Sequence, residues 1–320
     1  MLLFLSLDNL ARARYNRGRR EVIDMCVSVN QWLKRNTESL TGRTVAITGA
    51  TGGLGGAICR HLLACGAGLI LLDRNRAKSD ALKAALLTEY PGATIGQIPL
   101  DLSDMASVKA ACDALEGEDF DVLIHNAGAY SIPRCLCDTG YDNVFQINFV
   151  SPYYMTCRLL PRLRERGGRV VAVGSIAHNY SVTDADDVDF RTRKKASLVY
   201  GNAKRYLMYA LHELFRDERE ATLAVAHPGI TFTNITAHYP PLLFALIKHP
   251  MKVIFMSPRR AALSIVRGVF EMSPYRTWIG PVLLDVWGLP RVKKLRTAKD
   301  EEIERIDRVA REIYRALSEK

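Results

Sequence analysis

The chain has 320 residues, 48% of them apolar and 24% charged, a composition that suits one large α/β domain with appendages and excludes a disordered or fibrous chain. Its 44 basic residues outnumber 34 acidic ones, for a net +10, but residues 1–43 hold 8 basic and 4 acidic side chains and residues 248–320 hold 16 and 9, so the middle is near neutral. No basic stripe with a recognition motif accompanies the excess, so nucleic acid is not an expected partner, whereas the basic ends could meet an anionic membrane surface.

Met1 to Leu7 is apolar but short, and the basic cluster Arg12 to Arg20 follows it, which is not the order of a cleaved signal peptide. Nowhere does an apolar run approach the roughly 20 residues that span a bilayer. Between residues 19 and 35, Val22, Cys26, Val29 and Leu33 fall at helical spacing, so residues 1–40 are expected to form an amphipathic extension. Its apolar face would pack on the main domain, on a second subunit in a homodimer, or on a membrane.

Val45 to Thr48 is a short β-branched and apolar run that predicts a buried strand. Gly49, Gly52, Gly53, Gly55 and Gly56 then crowd a turn before the helical run Ala57 to Ala64. Glycines at a helix N-terminus let phosphate oxygens reach unpaired N–H groups, so a pyrophosphate is the expected occupant, although tight turns also use glycine for steric reasons alone. A second strand, Leu69 to Leu72, ends in Asp73, where a doubly wound fold places the residue that meets an adenosine ribose.

Ala77 to Tyr90 predicts a helix stopped by Pro91-Gly92, and Thr94 to Leu100 a third strand running into Asp101-Leu102-Ser103-Asp104. That motif suits a helix N-cap and, at a strand's carboxyl edge, contact with an adenine amine. Asp121 to Ile124 is a fourth strand, followed by His125-Asn126-Ala127-Gly128; a long helix over 142–166 carries Asn148; and Gly168 to Gly174 is a fifth strand ending at Ser175. Strands alternating with helices, each ended by Gly, Asp, Asn or Ser, predict an α/β fold of Rossmann type, a doubly wound parallel sheet with helices on both faces.

Tyr200 and Lys204, four apart on a predicted helix, project from one face, and an ammonium beside a phenol favours its ionised form. With these residues the chain resembles the short-chain dehydrogenase/reductase family. The family's T-G-x-x-x-G-x-G falls on Thr48, Gly49, Gly53 and Gly55, its N-N-A-G on Asn126-Ala127-Gly128, and its Y-x-x-x-K on Tyr200 and Lys204, with Asn148 and Ser175 in the remaining catalytic places. The resemblance implies a proton passed by Tyr200, its pKa lowered by Lys204, to a carbonyl whose oxygen Ser175 also hydrogen-bonds. Asn148 would position Lys204 and a water chain. The cofactor would lie against the glycine turn with Leu54, against Asp73 and Arg74, against Asp101 and Leu102, against Asn126 to Gly128, and against Tyr200 and Lys204, with Lys204 binding the nicotinamide ribose.

The long insertion between Ser175 and Tyr200 and the A-H-P-G at Ala226 to Gly229 resemble the retinol dehydrogenase-like branch, which implies nicotinamide contacts from Pro228 and Gly229 through Thr233. Likeness continues through W-I-G-P and V-W-G-L-P to about residue 297, so residues 41–297 are taken as the dehydrogenase domain. There are departures: His125 replaces a usual Asn, and Ala203 a common Ser. The glycines also fit T-G-x-x-G-x-x-G, the pattern of an extended, sugar-nucleotide branch. Within the domain, a proline-broken apolar stretch begins at His238, and a lid over about 238–270 is expected to cover an apolar substrate, with a core helix pair as the alternative. Ile303, Ile306, Val309, Ile313 and Leu317 form a stripe on a helix within 298–320.

Seven cysteines, without a C-x-x-C pair, indicate neither zinc nor a disulfide framework, so no metal is expected, and a reducing cytoplasm, with membrane association as a variant, is the expected setting. The reading is an NAD(P)-dependent oxidoreductase on an apolar steroid-, retinoid- or lipid-like alcohol or carbonyl compound. NAD(H) is expected ahead of NADP(H), because Asp73 would repel a 2′-phosphate that Arg74 would attract. The alternatives are a sugar-nucleotide epimerase or dehydratase and a catalytically silent nucleotide-binding scaffold.

Overall fold

A computed structural model describes residues 27–230, 256–295 and 298–319 of the chain. Short apolar runs form one sheet of eight strands: β1 (Thr44–Thr48), β2 (Gly68–Asp73), β3 (Ile95–Pro99), β4 (Val122–His125), β5 (Arg169–Val173), β6 (Thr222–Ala226), β7 (Thr277–Leu283) and β8 (Trp287–Lys294). Their order is β3-β2-β1-β4-β5-β6-β7-β8, parallel throughout except for the antiparallel pair β7 and β8. The strand order therefore reverses between β1 and β4, and a crevice opens at their carboxyl ends, where doubly wound sheets hold ligands. Five of these strands follow from the sequence as expected; β6, β7 and β8 extend the sheet beyond them.

Helices cover both faces. On one, α2 (Gly53–Ala64), α3 (Arg76–Glu89) and α7 (Pro258–Phe270) pack Ile58, Leu62, Leu86 and Ile265 on the sheet, α7 lying over β5 and β6. On the other lie α4 (Met105–Glu116), α5 (143–165) and α6 (Ala196–Leu214), with Val108, Phe149, Tyr153 and Tyr206 at the centre. Helix α5 begins as a single turn, Asn143–Phe145, passes through a π-helical turn at Gln146–Val150 and continues as Ser151–Glu165. The sequence suggested one uninterrupted helix there.

Helix α8 (Asp300–Ser318) docks on α5 and α6 by the expected stripe, burying Ile303, Ile306, Ile313 and Leu317, with Ala310 fully buried and Val309 at the margin. Each aliphatic side chain removed from water in this way contributes roughly 1.5–3 kcal/mol. At the other end, α1 (Val29–Asn36) is capped by Ser28 and buries Trp32 against Leu263, Val266 and Leu289, so its apolar face lies on the main domain. Val22 and Cys26 lie outside the described residues. So does 238–255 of the expected lid, while the rest of it is corrected: Pro258–Phe270 is a core helix, because Ala261, Ala262, Leu263, Ile265 and Val266 all face inward at full burial. Among the described residues no helix is long and apolar enough to cross a membrane.

Candidate active site

At the end of β1 the chain turns through Gly49 with φ +68°, where a Cβ would lie 2.9 Å from Ala127 Cα across the crevice. Gly55 is tighter still, its Cβ position only 2.2 Å from the Gly49 carbonyl oxygen, so these two glycines are set by close backbone approach. Gly53, the first residue of α2, has nothing within 4 Å of its Cβ position, and the Gly52 cap supplies no side-chain acceptor. The helix start is therefore left without a side-chain acceptor and with room beside it, which suits anion binding. Leu54 packs partly on the core beneath the helix.

Asp73 is buried, and its Oδ1 accepts from the Thr51 amide at 3.0 Å and the Thr51 hydroxyl at 2.8 Å, while the Ser79 hydroxyl stands 3.4 Å from Oδ2. The carboxylate thus braces the glycine turn as well as marking the strand end. Thr51, inside the motif but not one of its fixed positions, escaped the sequence reading. Arg74 is largely exposed and approaches Asp101 Oδ2 at 3.8 Å. The other Asp101 oxygen accepts from the Ser103 amide and hydroxyl at 2.9 and 2.6 Å, and Asp104, not Asp101, caps α4. The Leu102 carbonyl accepts from the Ser151 hydroxyl.

Thr48 and Asn126 stitch the crevice. The Thr48 hydroxyl accepts from the amides of Asn126 and Ala127, both at 3.0 Å, and the Asn126 amide group donates to the carbonyls of Thr48 and Gly49. Asn126 Oδ1 is buried without a protein partner, an acceptor still free for a ligand donor. Two residues on, a Cβ at Gly128 would lie 2.8 Å from Asn148 Oδ1 and 3.7 Å from Lys204 Nζ. Asn148 sits in the π-helical turn of α5, where its side-chain amide donates to the carbonyls of Ala129 and Val144 at 2.8 Å each. The widened turn brings this side chain under the Ala129 backbone and holds it there.

Ser175 leaves β5 and caps the 3₁₀ turn Ile176–Tyr180, its hydroxyl accepting from the Ala177 amide at 3.2 Å, and it lies near enough to the Tyr200 phenol to act on its pKa. Tyr200 and Lys204 project from α6, with the Lys204 ammonium 5.8 Å from the Tyr200 ring centre. The expected lowering of the Tyr200 pKa is corrected here. Burial of the phenol oxygen pushes it up to about 12; the Ser175 hydroxyl pulls the other way, and Tyr130 adds to the rise. Lys204 turns its Nζ to the Val173 carbonyl at 2.9 Å, and burial brings its own pKa down to about 8.

Further side chains complete the site, of which Tyr130 was not read from the sequence. Tyr130 stands edge-on to Tyr200 with 5.4 Å between ring centres. His125 is buried beneath Lys204; its Nε2 hydrogen-bonds the Thr156 hydroxyl at 2.8 Å, and burial with the Lys204 charge lowers its pKa to about 3. Beyond β6, Gly229 has φ +80° and backs onto Met256 and the Val286 carbonyl, beside Pro228. Thr233 lies outside the described residues. The structure thus gathers Asn148, Ser175, Tyr200 and Lys204 next to the β1–β4 crevice. Among the described residues no cluster of side chains could hold a metal ion.

A family profile for short chain dehydrogenases matches residues 43–186. Mouse retinol dehydrogenase 14 is 34% identical over 218 residues, 63% of this chain and 65% of that relative, so the match spans less than two thirds of the relative's length. Mouse polyprenol dehydrogenase is 27% identical over 275 residues, covering 82% of this chain and 81% of its own. A crystal structure of an uncharacterized protein from Mycobacterium paratuberculosis superposes with a TM-score of 0.68 at 25% identity, covering 89% of this chain and 97% of that one. The Pseudomonas aeruginosa RhlG/NADP active-site complex gives 0.56 at 25% identity, with 72% and 90% covered. Over residues 43–186 the chain is thus similar to the short-chain dehydrogenase/reductase family, and its relatives lie on the retinol dehydrogenase-like side of that family.

Proposed function

We propose that the chain is a nicotinamide-dependent oxidoreductase that interconverts an apolar alcohol and its carbonyl compound. The observation that carries this reading is the gathering of Ser175, Tyr200 and the buried Lys204 beside Asn148, next to a glycine turn whose helix start has no side-chain cap. The open Cβ position at Gly53 and the unpartnered Asn126 oxygen fit a bound dinucleotide, which would be held by the glycine turn, Asp73, Asn126 and Lys204 and would supply the hydride.

The chain's own residues do the rest. With its pKa near 12, Tyr200 is a protonated phenol at neutral pH and donates to a carbonyl oxygen that Ser175 also hydrogen-bonds. Lys204 keeps a positive charge below about pH 8, which favours the phenolate left behind. Asn148, locked between two carbonyls, fixes the backbone of Ala129 beside them.

The retinol and polyprenol dehydrogenase relatives support an apolar substrate. For the cofactor we favour NAD, because the buried Asp73 carboxylate would repel a 2′-phosphate while Arg74 extends into solvent. An apolar substrate is also consistent with a peripheral membrane contact, which co-sedimentation with anionic vesicles would detect. The test of the function is a carbonyl screen with NADH and NADPH, including retinaldehyde, a polyprenyl aldehyde and a steroid ketone. Nucleotide sugars form the contrasting arm. Turnover of a nucleotide sugar with none of the apolar compounds would overturn the reading.

A further inference from the structure

The turn Ile176–Tyr180 holds Ser175 in place, and a chain of polar contacts holds that turn. His178 is buried; its Nδ1 donates to the Ser175 carbonyl at 2.7 Å, and its ring stands edge-on to Trp278 with 5.0 Å between centres. The His178 carbonyl in turn accepts from Arg205 Nη1 at 3.0 Å. Arg205 follows Lys204 on α6, and its side chain is only 3% exposed. Its Nε and Nη2 reach the two carboxylate oxygens of Glu302, both at 2.6 Å, and Glu302 lies in the first turn of α8. Glu302 also accepts from the Thr183 hydroxyl at 3.0 Å, just past the turn, and Arg305 donates to the same hydroxyl at 2.6 Å.

An apolar stripe alone leaves a helix free to slide and rotate by small amounts, whereas a two-pronged guanidinium–carboxylate contact fixes both. Little slack exists on the inner side. A Cβ at Gly201, next to Tyr200, would lie 2.5 Å from the Ala177 carbonyl oxygen and 2.8 Å from Ser181 Cβ, so the turn already touches α6. Displacing the turn would therefore move Ser175 directly against Tyr200.

We propose that Glu302, Arg205 and His178 are positioning residues, linking the first turn of α8 to Ser175 so that the C-terminal helix sets how the Ser175 hydroxyl meets the Tyr200 phenol. The link to catalysis rests on the acid–base reading above. The contact chain itself is testable without turnover.

The experiment uses the full chain as wild type, Glu302→Gln, His178→Leu and His178→Asn. Gln keeps the shape of Glu302 but breaks the paired contact, Leu removes the donor to Ser175, and Asn retains a donor there. Amide hydrogen exchange is followed over peptides covering 174–181 and over β1 to β3 at a temperature where all four proteins are folded. The expected result is exchange at 174–181 faster by at least about tenfold in Glu302→Gln and His178→Leu, within about threefold of wild type in His178→Asn, and unchanged in β1 to β3. Retinaldehyde reduction with NADH should show kcat lowered about tenfold in the first two with the KM for NADH within about twofold, and recovery in His178→Asn. Unchanged exchange at 174–181 in Glu302→Gln, or an equal rise throughout the sheet, would overturn the proposal. If wild type reduces no apolar carbonyl at all, the functional reading fails, and the exchange result alone still decides the contact chain.

Discussion

Tyr200 and Lys204 respond to the same burial in opposite ways, because burial disfavours the charged form of each: the phenol holds its proton to about pH 12 and the ammonium loses its own near 8. Carbonyl reduction needs the phenol protonated and the lysine charged, so its kcat/KM should be level around neutrality and fall as pH rises through about 8; a reduction rate that climbs across that interval would show the assignment to be wrong. Tyr200→Phe removes only the proton donor, and turnover should drop by roughly 10²–10⁴-fold while NADH binding, read by nucleotide fluorescence, changes little. Asp73→Ser should shift preference toward NADP, measured as the ratio of kcat/KM for the two cofactors. The variant should also loosen Thr51, because the lost carboxylate was holding that amide and hydroxyl. The motif residues were legible because their chemistry is bound to fixed spacing. Thr51, Tyr130 and His178 were not, since each acquires its role only when strand ends and loops distant in sequence are brought together by the fold.

At the scale of the element, the start of α2 separates steric need from ligand need. Gly55→Ala would force a methyl to 2.2 Å from the Gly49 oxygen and 2.8 Å from Ala50 Cα, both backbone atoms, so it should destabilise the protein by about 1–3 kcal/mol in urea unfolding and abolish cofactor binding. Gly53→Ala meets nothing and should leave stability equal or up to about 1 kcal/mol higher, while weakening cofactor binding through the open space it fills. Unchanged cofactor affinity in Gly53→Ala would mean that no ligand approaches this helix start. The same distinction explains what the sequence disclosed. The five strands ending in Gly, Asp, Asn or Ser were plain because buried parallel strands read as unbroken apolar runs. Strands β7 and β8 carry Pro281 and Pro290 opposite each other, and proline inside a run argues against a central strand, so this antiparallel edge pair stayed hidden. The π-helical turn in α5 was equally silent, since Q-I-N-F-V has ordinary helical composition and the cause is the tertiary hold on Asn148.

Taken as a whole, the molecule has an unusual stock of buried neutral imidazoles. All five histidines among the described residues, His61, His125, His178, His212 and His227, are buried, and burial lowers the pKa of each, to about 3 for His125 and about 4 for His178, His212 and His227. In the unfolded chain the same side chains titrate near 6.5. Between about 6.5 and 4 the unfolded state therefore binds more protons than the folded one, so stability falls as pH falls through that window and is fully present above it. Four such histidines give a slope of roughly 5 kcal/mol per pH unit near pH 5, enough to unfold an ordinary domain within about two units. Carboxylates held low by arginines, such as Asp121 and Glu302, act in the same direction but only below about pH 4.5, where the unfolded chain takes up their protons. The urea midpoint should thus be flat between about pH 7 and 8 and drop steeply between about 6.5 and 5, before any carboxylate contributes. His212→Gln isolates one term, because it lies away from the Tyr200 site, donates to the Thr277 carbonyl, and can be replaced by a side chain that still donates but does not titrate. That variant should reduce the slope near pH 5 by about 1 kcal/mol per unit, close to one proton's worth. A wild-type midpoint that holds constant down to pH 5, or a His212→Gln slope equal to wild type, would show that the buried imidazoles do not govern the acid limit of the fold.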